Sequence, residues 1–170
     1  MKDYNNYSLL NHNTFGIDAK CNRFLEFSSV DEAKKISELI SNDKLPFLII
    51  GSGSNLLLKS DYEGNVVHSD IHGIVASSVN GENLVRCGSG EVFDDVVAYC
   101  VEHGYYGAEN LSLIPGEVGA SAIQNIGAYG AEAKDIISKV EAVEISTGNV
   151  VEFNNEDCEY KYRQSKFKNE

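Results

Sequence analysis

Gly51-Ser52-Gly53-Ser54-Asn55 follows directly on an unbroken apolar run, Phe47-Leu48-Ile49-Ile50. The run is short enough to be a buried strand, and a tight turn at its end supplies consecutive backbone N–H groups and two hydroxyls. Turns of this kind form anion-binding concavities, and the favoured occupant is a nucleotide pyrophosphate. The spacing is not GxGxxG opening a helix, because Leu56 holds the sixth position and Leu56-Leu57-Leu58 reads as strand or core. Nor is it a P-loop, since no Gly-Lys-Ser/Thr follows. A turn with a purely structural role is the competing reading.

Two further stretches set polar groups among small residues. Ile114-Pro115-Gly116-Glu117-Val118-Gly119-Ala120-Ser121 reads as a turn leading into a helix start. Its N–H groups suit a second phosphate or a flavin carbonyl, or else belong to a tightly packed helix with no ligand. Gln124-Asn125-Ile126-Gly127-Ala128-Tyr129-Gly130 combines amides, glycines and one aromatic ring. Gln124 or Asn125 suits a heteroaromatic edge, and Tyr129 suits packing against a ring or donating its hydroxyl. Together these stretches outline a cofactor channel.

Arginine is rare, at Arg23, Arg86 and Arg163. The planar fork of Arg163 suits a carboxylate held bidentately, and Tyr162 beside it adds a hydroxyl. A structural salt bridge to one of the many acidic side chains explains Arg163 equally well. Ser165 has no evident base near it and is not read as a nucleophile. Asn13-Thr14-Phe15-Gly16 is a compact turn that either tucks under a cofactor or, the favoured reading, enters the first strand.

The elements that must position these groups are legible in part. Ser29 with Glu32 is a capping-box pattern, followed by Val30, Ala33, Ile36, Leu39 and Ile40 at helical spacing. Asp61-Tyr62-Glu63-Gly64 reads as a turn, and residues 65–69 and 73–79 as strands. Asn80-Gly81 is a type I′ hairpin signal with a return strand over 82–87. Phe93, Val96, Val97, Cys100 and Val101 form one helical face that ends before Gly104. Residues 107–130 hold five of the fifteen glycines and few charges, which predicts a buried or ligand-facing backbone path. A hairpin is expected over 139–145 and 149–153, then a short helical turn over 156–160. The class is α+β.

The 170 residues suit one domain or two small subdomains. A formal charge of −12 repels nucleic acid and anionic lipid, and there is no run of eighteen apolar residues to span a membrane. Neither nucleic acid nor a membrane is expected as partner, and no secretory h-region follows the first residues. Cys21, Cys87, Cys100 and Cys158 form no CxxC pair, which points to a reducing compartment and mostly buried thiols. His12, His68, His72 and His103 form no HExxH, and no metal site is expected. The Tyr162-Arg163 element stands close to the last residue, which predicts a fragment or a first module whose partner follows.

Six of these stretches, in this order, resemble one enzyme family. They are Asn13-Thr14-Phe15-Gly16, Gly51-Ser52-Gly53-Ser54-Asn55-Leu56 and Gly107-Ala108-Glu109-Asn110-Leu111. They continue with Ile114-Pro115-Gly116, Gln124-Asn125-Ile126-Gly127-Ala128-Tyr129-Gly130 and Tyr162-Arg163-Gln164-Ser165-Lys166-Phe167. The chain is similar to the N-terminal, FAD-binding half of the UDP-N-acetylenolpyruvoylglucosamine reductases, the MurB family of peptidoglycan synthesis. The resemblance implies a vanillyl-alcohol-oxidase or p-cresol-methylhydroxylase (PCMH) type of fold. Two small α+β subdomains, over 1–72 and 73–170, would hold FAD between them, and a C-terminal substrate domain is missing.

By that resemblance Gly51, Ser52, Gly53, Ser54 and Asn55 hold the FAD pyrophosphate. Pro115, Gly116, Gly119, Ser121, Asn125, Gly127, Tyr129 and Gly130 line the rest of the cofactor site. Tyr162 and Arg163 meet the substrate, and Arg163 polarises the enolpyruvyl carboxylate as the catalytic cation. The implied reaction takes a hydride from NADPH through flavin to the enolpyruvyl group of a UDP-sugar, in the bacterial cytoplasm. The family's proton-donating serine and assisting carboxylate lie outside this chain, so the isolated polypeptide is expected to be catalytically deficient. A non-catalytic flavin-binding or scaffold module, or another FAD oxidoreductase of the same fold, is the alternative.

Overall fold

A computed structural model describes residues 1–168. The chain divides into two compact units, one of Met1–Ile71 with Ala142–Val151, the other of His72–Glu141 with the chain from Glu152 onward. Among the described residues no helix is long and apolar enough to cross a membrane.

The first unit is built on a four-stranded sheet. Strand β1 (Lys2–Ser8) lies antiparallel to β2 (Lys20–Phe27), and β4 (Tyr62–Ser69) runs parallel to both β2 and β3 (Phe47–Ile50), in the order β1-β2-β4-β3. Helix α1 (Val30–Asn42) crosses one face. The register sets Phe24 beside Val66 and Leu25 beside Val67, so alternation sends one pair to each face. Leu25 and Val67 pack with Ile36 and Ile40 of α1, while Phe24 and Val66 pack with Leu9, Cys21 and Leu58. The same register places Glu26 opposite His68, whose Nδ1 lies 3.1 Å from the carboxylate.

Several sequence expectations change here. Residues 47–50 do form a strand, but at the sheet edge, with Phe47 and Ile49 exposed and Ile50 buried. The expected turn at 61–64 is instead the start of β4. Leu56-Leu57-Leu58 forms no strand; Leu58 enters the core, Leu56 packs half-buried against it and Leu57 is exposed. The turn at Asn13 does not enter the first strand; β1 precedes it, and the turn lies between β1 and β2.

The α1 cap matches its pattern with one shift. The Glu32 N–H donates to Ser29 Oγ at 3.2 Å, while the Glu32 carboxylate accepts from the Ser28 N–H at 2.9 Å rather than from Ser29. The N-terminal ammonium of Met1 completes an ion pair with Glu32. That ammonium, aided by the Ser28 amide, draws the Glu32 carboxyl from its ordinary 4.5 down to about 2. A lowered folded-state value means the stabilisation is present above pH 4.5 and is lost as pH falls toward 2. Glu32→Gln is therefore expected to lower the melting temperature at neutral pH, with the gap to the parent closing over that acid window. A gap that stays constant with pH contradicts this.

The second unit contains the β5–β6 hairpin (Ile74–Val79, Glu82–Cys87) and helices α2 (Phe93–Glu102) and α3 (Val118–Gln124). It also contains a two-residue-per-strand hairpin, β7–β8 (Gly127–Ala128, Ala131–Glu132). Asn80 and Gly81 have φ of 54° and 84°, the left-handed pair a type I′ turn needs. Phe93, Val97, Leu111, Ile126 and Ala133 form its core, while Val101 falls off the α2 face and is exposed. Strands β9 (Lys139–Val143) and β10 (Val150–Asn154) pair with each other, and Ile145 at their turn packs beside α1 in the first unit. The 107–130 stretch is not uniformly buried: Leu111, Ser121 and Asn125 are buried, but Leu113 and Tyr129 project outward.

Candidate functional site

In the first unit, Gly53 has φ +72°, and a Cβ there would stand 2.0 Å from the His12 carbonyl oxygen. Only glycine lets the 51–55 loop approach the His12–Asn13 backbone this closely. Asn13 fixes that floor: its amide donates to the Leu9 and Ile17 carbonyls at 2.7 and 2.9 Å and accepts the Ile17 N–H at 2.9 Å. The Gly53 carbonyl accepts the Thr14 and Leu56 N–H groups. Among the described residues the Ser52 and Gly53 N–H groups donate to no protein acceptor. Consecutive amides without a protein acceptor are the donor set of an anion nest, which fits a pyrophosphate.

In the second unit the start of α3 differs from the expectation. The Val118 N–H donates to the Glu91 carbonyl and the Gly119 N–H to the Ser89 carbonyl, both at 2.9 Å. These amides therefore do not present themselves to a phosphate. Gly119 is a packing glycine, since a Cβ would lie 3.0 Å from that of Ser89. Ser121 is buried and returns its hydroxyl to the Val118 carbonyl at 2.7 Å. The partner segment Gly88-Ser89-Gly90-Glu91 carries a Gly-Ser-Gly after a strand, the same signal as the 51–55 loop, and could have been singled out on that ground.

Asn125 is also corrected. It is fully buried in the left-handed region, at φ 48°. Its Nδ2 donates to Glu132 Oε2 at 3.2 Å and to the Lys161 carbonyl at 3.0 Å, and its Oδ1 accepts the Lys134 N–H at 2.9 Å. No amide edge remains for a heteroaromatic ring. Its hydrogen bonds instead tie the 161–164 turn to the end of α3. Gly127 is equally structural, since a Cβ would meet the Ala131 carbonyl at 2.6 Å across the hairpin.

Tyr129 and Gly130 form the two-residue tip of the β7–β8 hairpin, at φ 49° and 83°. Tyr129 is 88% exposed there. Arg163, also left-handed at φ 54°, donates from Nη2 to the Gly127 carbonyl at 2.6 Å, and its guanidinium lies 5.7 Å from the Tyr162 ring centre. Among the described residues Arg163 pairs with no carboxylate, so the salt-bridge reading is not realised. One N–H of Nη2 anchors the guanidinium, and its remaining N–H groups are left to take an incoming carboxylate. Ser165 is buried, with its hydroxyl on the Ile123 carbonyl at 2.5 Å, in keeping with a non-nucleophilic role. The structure thus assembles Gly127, Tyr129, Gly130, Tyr162 and Arg163 in one unit, supported by Asn125 and Ser165.

The α+β plan, with the 51–55 loop and the Arg163 turn, points to a class. Residues 22–154 match the family described as FAD binding domain, and the chain belongs to that family. More narrowly, it is homologous to the UDP-N-acetylenolpyruvoylglucosamine reductases and corresponds to their FAD-binding module. It is 53% identical over 165 residues to that reductase from Bacteroides fragilis strain YCH46, covering 95% of this chain and 48% of the relative. The chain spans about half the length of the curated relatives it matches. Among solved structures, the reductase from Thermus caldophilus superposes with a TM-score of 0.73 at 22% identity, covering 96% of this chain and 56% of that one. A 6-hydroxy-D-nicotine oxidase from Arthrobacter nicotinovorans gives 0.64 at 17% identity over 82% of this chain and 31% of its own. The fold is accordingly the one these flavoenzymes share with p-cresol methylhydroxylase.

Proposed function

We propose that the chain is the FAD-binding part of an NADPH-dependent UDP-N-acetylenolpyruvoylglucosamine reductase, which reduces an enolpyruvyl group to a lactyl group in bacterial peptidoglycan synthesis. The setting is the cytoplasm. The Ser52 and Gly53 amides, with Gly51, Ser54 and Asn55, hold the FAD pyrophosphate. Pro115, Gly116, Tyr129 and Gly130 line the cofactor, with Gly119, Ser121, Asn125 and Gly127 as the frame behind them. When bound, FAD supplies the hydride relay between NADPH and the substrate. Arg163 takes the substrate carboxylate on its remaining fork, orients it and stabilises the negative charge that builds there during reduction. Tyr162 holds the guanidinium plane in position.

The observation that carries this reading is the half-occupied guanidinium of Arg163, anchored on Gly127 with no carboxylate partner among the described residues. The test is titration of the purified chain with FAD, followed by anaerobic addition of NADPH and then of the UDP-sugar. Saturable FAD binding without product is expected, because the relatives are about twice as long as this chain. Absence of FAD binding removes the reading. Full turnover by the 170-residue polypeptide refutes the expected deficiency.

A further inference from the structure

We infer that Leu113 is a further ligand-contacting residue, set against the flavin ring by Asp94; this rests on the FAD reading above. Leu113 has φ +59°, in the left-handed region where a leucine is strained, and its side chain is 84% exposed. Burial therefore does not offset the strain. Something outside the residue imposes it. Asp94 Oδ1, in the first turn of α2, accepts the Leu113 N–H at 2.6 Å and the Ser112 hydroxyl at 3.0 Å. On either side, Leu111 is fully buried and Ile114 packs on the same core. The two flanking apolar side chains go inward, while Asp94 turns Leu113 outward, immediately before Pro115.

Seven non-glycine residues have positive φ: Asn6, Asn80, Leu113, Asn125, Tyr129, Glu159 and Arg163. Three are asparagines, the type that tolerates this region, and Glu159 closes the Asn155–Cys158 turn as its C-cap. The remaining three are Leu113, Tyr129 and Arg163, all in the second unit and all with exposed side chains. The Glu109–Leu111 turn and the β7–β8 hairpin share one core through Leu111, Ile126 and Ala131. Leu113 is thus presented from the same framework as Tyr129. An exposed apolar side chain held by an outside carboxylate matches one face of a planar heteroaromatic ring, the isoalloxazine of FAD. Asp94 is then a positioning residue, acting through Leu113.

Measuring the melting temperature of the FAD-free chain and its FAD affinity, with visible flavin absorbance as readout, tests this. Leu113→Asn accepts the left-handed backbone and removes the apolar contact. It is expected to raise the melting temperature of the FAD-free chain slightly while weakening FAD about tenfold. Asp94→Ala is expected to weaken FAD to a similar extent, and Asp94→Asn, which keeps the acceptor, to recover most of the loss. A bound-flavin spectrum that shifts in Leu113→Asn and in Asp94→Ala alike supports the contact. If the parent chain binds FAD and Leu113→Asn binds it equally well, the inference fails and the FAD reading stands. If the parent chain does not bind FAD, both fail.

Discussion

Gly53→Ala is expected to destabilise the first unit by about 3 kcal/mol and to abolish measurable FAD binding, whereas Gly16→Ala is expected to cost only about 1 kcal/mol. Both glycines are left-handed, at φ +72° and +65°. Any alanine pays a similar backbone term at the two sites. The surroundings differ: nothing lies within 4 Å of a Cβ at Gly16, but at Gly53 it would meet the His12 carbonyl oxygen at 2.0 Å and Asn13 Cα at 2.8 Å. Those atoms are backbone, and Asn13 is pinned by three hydrogen bonds, so the loop rather than the floor must move. Moving the loop displaces the Ser52 and Gly53 amides, the proposed pyrophosphate donors. In a chain of this length the stability loss corresponds to a fall of about 6–12 °C in melting temperature. Thermal unfolding of the two variants side by side measures the difference, and equal effects would show that the close approach is not what requires glycine at Gly53.

What could be read from the sequence was the chemistry whose signal is local. Asn80-Gly81, the Ser29 cap and the apolar stripe of α1 each depend on neighbours within a few residues, and each formed. The 51–55 loop and Arg163 stood out because their residue types are uncommon in such settings. Features set by distant partners were not legible. Strand β1 is mostly polar, because it pairs through its main chain at an edge and offers the core little beyond Tyr7, stacked on Phe24 at 4.5 Å. The role of Asn125 depends on a carbonyl 36 residues away. The helix-start amides looked available because nothing in the sequence says that the 88–91 loop will take them. Left-handed tyrosine follows from the two-residue β7–β8 turn although tyrosine does not favour it, and left-handed leucine before Pro115 accompanies the distant Asp94 bond. Such departures from local propensity concentrate beside the proposed ligand site, where local rules are expected to yield.

Asn125→Ala is expected to destabilise the second unit by about 3–4 kcal/mol, the sum of two effects. Removing the amide strands the Lys134 N–H, which alanine cannot satisfy, and takes from the Lys161 carbonyl one of its two donors, leaving it the Gln164 N–H. Alanine is also disfavoured at φ 48° and ψ 63°. Asn125→Gly separates the two, since glycine accepts the backbone and still lacks the amide; it is expected to recover about 1 kcal/mol. Asn125→Asp keeps the acceptor for Lys134 but sets a buried carboxylate against Glu132 and the Lys161 carbonyl. Its folded-state pKa is therefore raised, and the variant should regain stability as pH falls and its carboxyl can donate again. Urea unfolding across pH reads all three. Because the Lys161 bond fixes the turn that carries Arg163, Asn125→Ala should also release the guanidinium from Gly127 and broaden its range of positions. Limited proteolysis around Lys161 is then expected to accelerate in Asn125→Ala and not in the parent chain. An Asn125→Ala protein as stable and as resistant as the parent would mean that the Ser165–Ile123 and Arg163–Gly127 bonds hold the turn without the Asn125 amide.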